Sequence, residues 1–127
     1  MIQFTFHEVP RPKPRARVTA RGSYTPSEYK AYEDRIKRLA SEAMRAQGVA
    51  MLLGPLRIDY TFYLAANRGD LDNYVKGVQD AMNKVVFKDD RQVQVTFAVK
   101  IHRKANPAIR VTVTELPDDW AAEYQER

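Results

Sequence analysis

The apolar residues of this chain change their period within one short stretch, and that change limits the folds open to it. Leu56, Ile58, Tyr60, Phe62 and Leu64 fall at alternate positions, the spacing of a strand with one buried face. From Leu71 the apolar positions Leu71, Tyr74, Val75, Val78, Met82 and Val85 recur every three or four residues, the spacing of a helix with one buried stripe. Only a polar turn containing Asn67-Arg68-Gly69-Asp70 separates the two. A strand that feeds a helix so directly calls for a sheet and a helical layer in one domain.

The remaining elements fill out that plan. Ile2, Phe4 and Phe6 alternate with polar residues and predict a first strand. Thr25-Pro26-Ser27-Glu28 carries the signature of a helix start, with Thr25 as cap and Pro26 at the first helical position. The predicted helix places Tyr29, Tyr32, Ile36, Leu39, Ala40 and Ala43 on one side and ends near residue 47, before Gly48. The second helix is predicted to run to about residue 85. Val93, Val95, Phe97, Val99 and Ile101 alternate, as do Ile109, Val111 and Val113 after Asn106-Pro107, and these read as a hairpin. The expected fold is α+β, a single compact domain in the order βαβαββ with a mixed four-stranded sheet and two main helices. With 127 residues and 44% hydrophobic content, the chain holds one core.

Composition narrows the chemistry. There is no Cys, which excludes disulfides and thiolate zinc sites, and the two histidines, His7 and His102, form no cluster in sequence. No signal-like leader and no long apolar run is present, so the expected location is cytoplasmic, with no membrane partner. The net charge is +5, yet residues 115–127 hold five acids (Glu115, Asp118, Asp119, Glu123, Glu126) against Arg127 alone. That tail is locally −4, which leaves +9 on residues 1–114, a body suited to polyanions. The bases cluster in Pro10-Arg11-Pro12-Lys13-Pro14-Arg15-Ala16-Arg17, where the prolines enforce an extended backbone. This segment reads as a strap along a phosphate backbone or, more plainly, as a solvated loop.

Within this basic body, residues 70–92 contain five aspartates: Asp70, Asp72, Asp80, Asp89 and Asp90. Carboxylate oxygens are the ligands that Mg²⁺ prefers. Side chains two residues apart on a helix diverge, so Asp70 and Asp72 face one cation only if Asp70 lies just outside the helix. Asp89-Asp90, in a loop that folds back, would complete the site. The same residues also suit plainer roles: Asp70 as a helix cap, Asp72 as a first-turn charge paired with Lys76 one turn on, and Asp89-Asp90 as turn formers.

The runs Asp70-Leu71-Asp72-Asn73-Tyr74-Val75-Lys76, Asp80-Ala81-Met82 and Phe87-Lys88-Asp89-Asp90-Arg91-Gln92-Val93 resemble, in order and spacing, the RusA family of Holliday-junction resolvases of bacteria and their phages. The basic proline segment and Tyr24-Thr25-Pro26, with Tyr29-Lys30 after it, extend the resemblance over nearly all of residues 4–115. It implies a homodimeric, Mg²⁺-dependent endonuclease, with Mn²⁺ a possible substitute, that nicks two strands of a four-way DNA junction symmetrically. The metal-binding acids of that family correspond to Asp70, Asp72 and Asp90, and a catalytic lysine corresponds to Lys76. The chain departs from the family pattern at Phe87-Lys88, which leaves Asp89 as well as Asp90 a candidate ligand. The expected DNA contacts are Arg11, Lys13, Arg15, Arg17, Arg68, Lys76 and Lys88. Residues 1–116 would form the nuclease domain and 117–127 an acidic C-terminal tail, and the dimer interface is expected on strands 92–102 and 108–115. The competing readings are a non-catalytic DNA-binding protein and a metal-dependent hydrolase of small phosphoesters. The first leaves acids inside a basic surface unexplained, and the second has no use for four cations on a strap.

Overall fold

A computed structural model describes residues 1–14, 17–19, 22–24 and 26–125. Its centre is a four-stranded mixed sheet of β1 (Ile2–Phe6), β4 (Leu56–Leu64), β5 (Val93–His102) and β6 (Ala108–Glu115), in the order β1-β6-β4-β5. The helices α1 (Ser27–Ala46) and α2 (Leu71–Met82) pack together on one face. No helix among the described residues is long and apolar enough to cross a membrane.

The α+β architecture, the mixed sheet and the two main helices are as the sequence predicts. Ile2, Phe4 and Phe6, the five alternate residues of β4, and Ile109, Val111 and Val113 are all buried against Tyr29, Tyr32 and Ile36 of α1 and Tyr74, Val78 and Met82 of α2. Burial of each such side chain contributes about 1.5–3 kcal/mol relative to exposure. Gly48, at φ +65°, ends α1 where expected. The helix itself begins at Ser27, with Pro26 flanking it in an extended conformation, and the capping role assigned to Thr25 lies outside the described residues.

Three expectations are corrected. The segment before α1 carries a short antiparallel ribbon, β2 (Arg17–Thr19) with β3 (Gly22–Tyr24), in place of loop alone; three-residue strands are too short for an apolar alternation to declare itself. The acidic tail carries a short helix, α3 (Ala122–Gln125). The second helix, α2, stops at Met82, three residues early. Asn83 turns to an extended conformation and Lys84 adopts φ +68°, which swings Val86 and Phe87 into full burial. Lastly, β5 and β6 are not a hairpin. β4 lies between them, parallel to β5 and antiparallel to β6. The chain leaves β4, crosses over through α2 and returns to β5 in the same direction, which a helix of this length permits.

The parallel pairing decides what faces α2. Tyr60 pairs with Ala98, Ile58 with Thr96 and Phe62 with Lys100, so the even-numbered residues of β5 share the helix-covered face with the buried residues of β4. The apolar residues Val95, Phe97, Val99 and Ile101 therefore face away from the helices, and Phe97 and Ile101 remain 59% and 43% exposed.

Candidate active site

Between α2 and β5 lies a cavity of about 530 Å³, lined by Leu71, Asp72, Val75, Lys76, Gln79 and Asp80 of α2, by Asp90, and by Thr96 and Ala98 of β5. On α2, positions 72, 76, 79 and 80 follow the three-to-four-residue repeat and form one polar stripe, while Tyr74, Val78, Ala81 and Met82 face the core. Small Thr96 and Ala98 opposite that stripe leave the space open. The bend at Asn83–Lys84 and a 3₁₀ turn at Asp90–Gln92 bring the chain back alongside the helix.

That turn separates the two adjacent aspartates. The Asp89 side chain accepts a hydrogen bond from the Arg91 backbone N–H at 2.8 Å, and the Gln92 side chain accepts from the Asp89 N–H at 2.8 Å, a reciprocal cap. The Arg91 backbone N–H, then its guanidinium, holds the Asp89 carboxyl below its ordinary range. Asp89 is thus a cap, and Asp90 is the one that lines the cavity. Asp90 titrates above its ordinary range because of partial desolvation and then the charge of Asp80 beside it, only partly opposed by the Gln79 amide and Lys76. Gln79 in turn accepts the Tyr60 hydroxyl at 3.1 Å, anchoring this end of the stripe to the core.

The other end is set by the loop before α2. Gly69 has φ +79°, and a Cβ there would lie 2.9 Å from the Pro12 ring. The Tyr74 hydroxyl donates to the Arg68 carbonyl, and Lys100 donates to Asn67 Oδ1 at 2.7 Å and to the Gly69 carbonyl at 3.1 Å. Asp70 then flanks the helix in an extended conformation with no side-chain capping bond, outside the helix as the spacing argument requires. Its side chain does not line the cavity, whereas that of Asp72 does. Among the described residues, Asp72 and Lys76 make no ion pair with each other, so the plain surface-pair reading does not hold.

The structure therefore brings Asp72, Lys76 and Asp90 to one cavity, with Asp70 at its helix start and Asp89 turned to a local cap. Among the described residues no group of three or more acids or histidines is placed to hold a metal ion, so the expected set of Asp70, Asp72 and Asp90 is not assembled. Open sets of one or two carboxylates, with room for waters and phosphate oxygens, are the form in which Mg²⁺ is commonly held, and the hard oxygen donors here fit it. Of the expected DNA contacts, Arg11, Arg68 and Lys88 are exposed. Lys13 is not available in the same way, being paired with Asp80 and Glu33. Arg15 and the Arg17 side chain lie outside the described residues. The sequence reading passed over Gln79 and gave Asp80 no part in the site; the signal was the helical repeat 72, 76, 79, 80, which it followed for charge pairing alone.

Residues 8–114 match the family described as Endodeoxyribonuclease RusA. The chain is 31% identical over 99 residues to the crossover junction endodeoxyribonuclease RusA of Escherichia coli O139:H28, which spans 76% of this chain and 80% of that one. It is 33% identical over 95 residues to the protein of the same name from Shigella sonnei, covering 73% and 77%. It is also 45% identical over 47 residues to the uncharacterized protein YqaN of Bacillus subtilis, a match that covers 37% of this chain and 32% of YqaN.

Proposed function

The chain belongs to the endodeoxyribonuclease RusA family, and on that footing we propose that it resolves four-way DNA junctions by Mg²⁺-dependent hydrolysis in the cavity between α2 and β5. The observation that carries this reading is the presence of Asp72, Lys76 and Asp90 on one open cavity in a chain of net charge +5. Asp72 and Asp90 would hold the cation, with Asp70 flanking the helix start outside the cavity lining, and Mn²⁺ would serve in its place. When bound, the cation supplies a Lewis acid that activates water and offsets charge on the leaving oxygen.

The protein's own groups do the rest. Lys76, free of any ion pair among the described residues, faces the cavity from the middle of the acidic stripe and offers its charge to the scissile phosphate. Arg11, Arg68 and Lys88 position the duplex arms through phosphate contacts, which carry no sequence information. No side-chain nucleophile is required, and the product is a 5′-phosphate beside a 3′-hydroxyl, a nick that can be resealed.

Two symmetric nicks require two such sites, and a two-fold dimer supplies them. The Phe97 and Ile101 stripe on the helix-free face of edge strand β5 is the surface for the second copy. β6 is interior and presents Arg110, Thr112 and Thr114 on that face, so the apolar part of the expected interface reduces to β5. The experiment is cleavage of a labelled four-way junction with and without Mg²⁺. Paired nicks that need the cation support the reading, and binding without cleavage at any Mg²⁺ concentration contradicts it.

A further inference from the structure

We propose that Lys13 is a positioning residue of the cleavage site, which ties the proline strap to α2 and cancels the charge of Asp80, and that it does not hold DNA phosphate. The Lys13 backbone N–H donates to the Asn73 carbonyl at 3.0 Å, one residue after Asp72. Its Nζ donates to Asp80 Oδ2 at 2.5 Å and stands 3.6 Å from Glu33 of α1. The neighbouring residues follow the same helix: Pro12 presses on Gly69, and the Arg11 carbonyl lies 3.8 Å from where a Cβ on Gly77 would stand. Residues 11–13 are thus laid along α2 from its first turn to its last.

These contacts commit the lysine. Its side chain and those of Glu33 and Asp80 are 26%, 18% and 25% exposed, so turning Lys13 out to a phosphate would leave two half-buried carboxylates without a partner. Desolvation lowers the Lys13 pKa, but the hydrogen bond and charge of Asp80, followed by the charge of Glu33, leave it above its ordinary value. The chemical consequence falls on the cavity. Asp80 lines it beside Asp90, and without Lys13 it would add a net negative charge where the scissile phosphate enters. Arg11 lies two residues away and exposed, so the strap divides its work between contact with DNA and attachment to the catalytic helix.

The inference rests on the cavity being the nuclease site, and the test keeps the two apart. Lys13→Met, Lys13→Met/Asp80→Asn and the wild type are compared in single-turnover cleavage of a four-way junction at saturating protein. Junction affinity is measured separately against salt in EDTA. Lys13→Met is expected to cut at least tenfold more slowly with the wild-type salt slope, and the double variant is expected to recover most of that rate. A fall in the salt slope of about 0.9 on losing Lys13 would show a phosphate contact and overturn the proposal. An unchanged rate in Lys13→Met, or a double variant no faster than the single, would also overturn it. Should Lys13→Met fail to fold, the slope of the double variant, which leaves no unpaired charge on Asp80, decides in the same way. A wild type that binds junctions and never cuts refutes the nuclease reading itself.

Discussion

β4 and β5 are parallel neighbours with the same apolar alternation in sequence, yet they spend it on opposite faces. On β4 the apolar residues point under the helices and are almost wholly buried. On β5 Val95, Phe97, Val99 and Ile101 point away, and the helix-covered positions carry Thr96, Ala98 and Lys100. A large apolar residue at 96 or 98 would close the space between α2 and the sheet. The inverted strand therefore keeps a cavity open on one side and leaves an exposed apolar stripe on the other. Packing fixes the chain at β4, and the proposed function draws on both faces of β5.

Single substitutions on the two strands should separate these roles. Phe62→Ala on β4 is expected to cost about 3–5 kcal/mol, since a fully buried ring leaves a void; denaturant unfolding measures it. Ala98→Leu, on the paired face of β5, should be nearly neutral for stability, because it fills space that is already open, and should depress cleavage while the fold persists. If Ala98→Leu unfolds the protein and spares its activity, the division between the strands fails. Phe97→Asp should shift the protein from dimer to monomer in light scattering at micromolar concentration, with little change in secondary structure by circular dichroism.

What could be read in advance follows the same division. Alternation identified β1, β4 and β6 correctly, and the helical repeat placed α1 and most of α2, because burial in those elements is what the pattern records. The pairing of β5 was not legible, since alternation states that a strand has two unlike faces and says nothing of which neighbour it takes or which face is covered. The early end of α2 was hidden because Val85, Val86 and Phe87 extend an apolar run that serves equally well as helix or as a turn folded into the core. At the candidate site, spacing and family resemblance singled out Asp72, Lys76 and Asp90, which the fold brings to one cavity, and Asp70, which flanks the helix start outside its lining. The ion pairs of Lys13, expected as a DNA contact, were not legible, because its partners Asp80 and Glu33 are distant in sequence and meet it only through the packing of α1 on α2.

A smaller effect distinguishes the adjacent acids by pH. Asp89 has a lowered pKa, so its contribution to stability is present above the ordinary carboxylate range and is lost as pH falls through the folded value. Asp90 has a raised pKa, so its ionised form opposes folding above that range and ceases to do so as pH falls. In thermal melts without metal, Asp89→Ala should lower Tm at neutral pH and Asp90→Asn should raise it, and both differences should close towards acid. Melts that move in the same direction would contradict the assignment of one acid to the cap and the other to the cavity.

The reaction itself separates those two residues most directly. Asp89→Asn and Asp90→Asn are to be compared for cleavage of a four-way junction in saturating Mg²⁺, with junction binding measured in parallel. Asp89→Asn should retain cleavage, because an asparagine still caps the 3₁₀ turn. Asp90→Asn should lose it by a factor on the order of 10³, the several kcal/mol that a bound cation contributes, while binding the junction as well as the wild type. Loss of cleavage in Asp89→Asn with activity preserved in Asp90→Asn would place the reaction outside the cavity between α2 and β5.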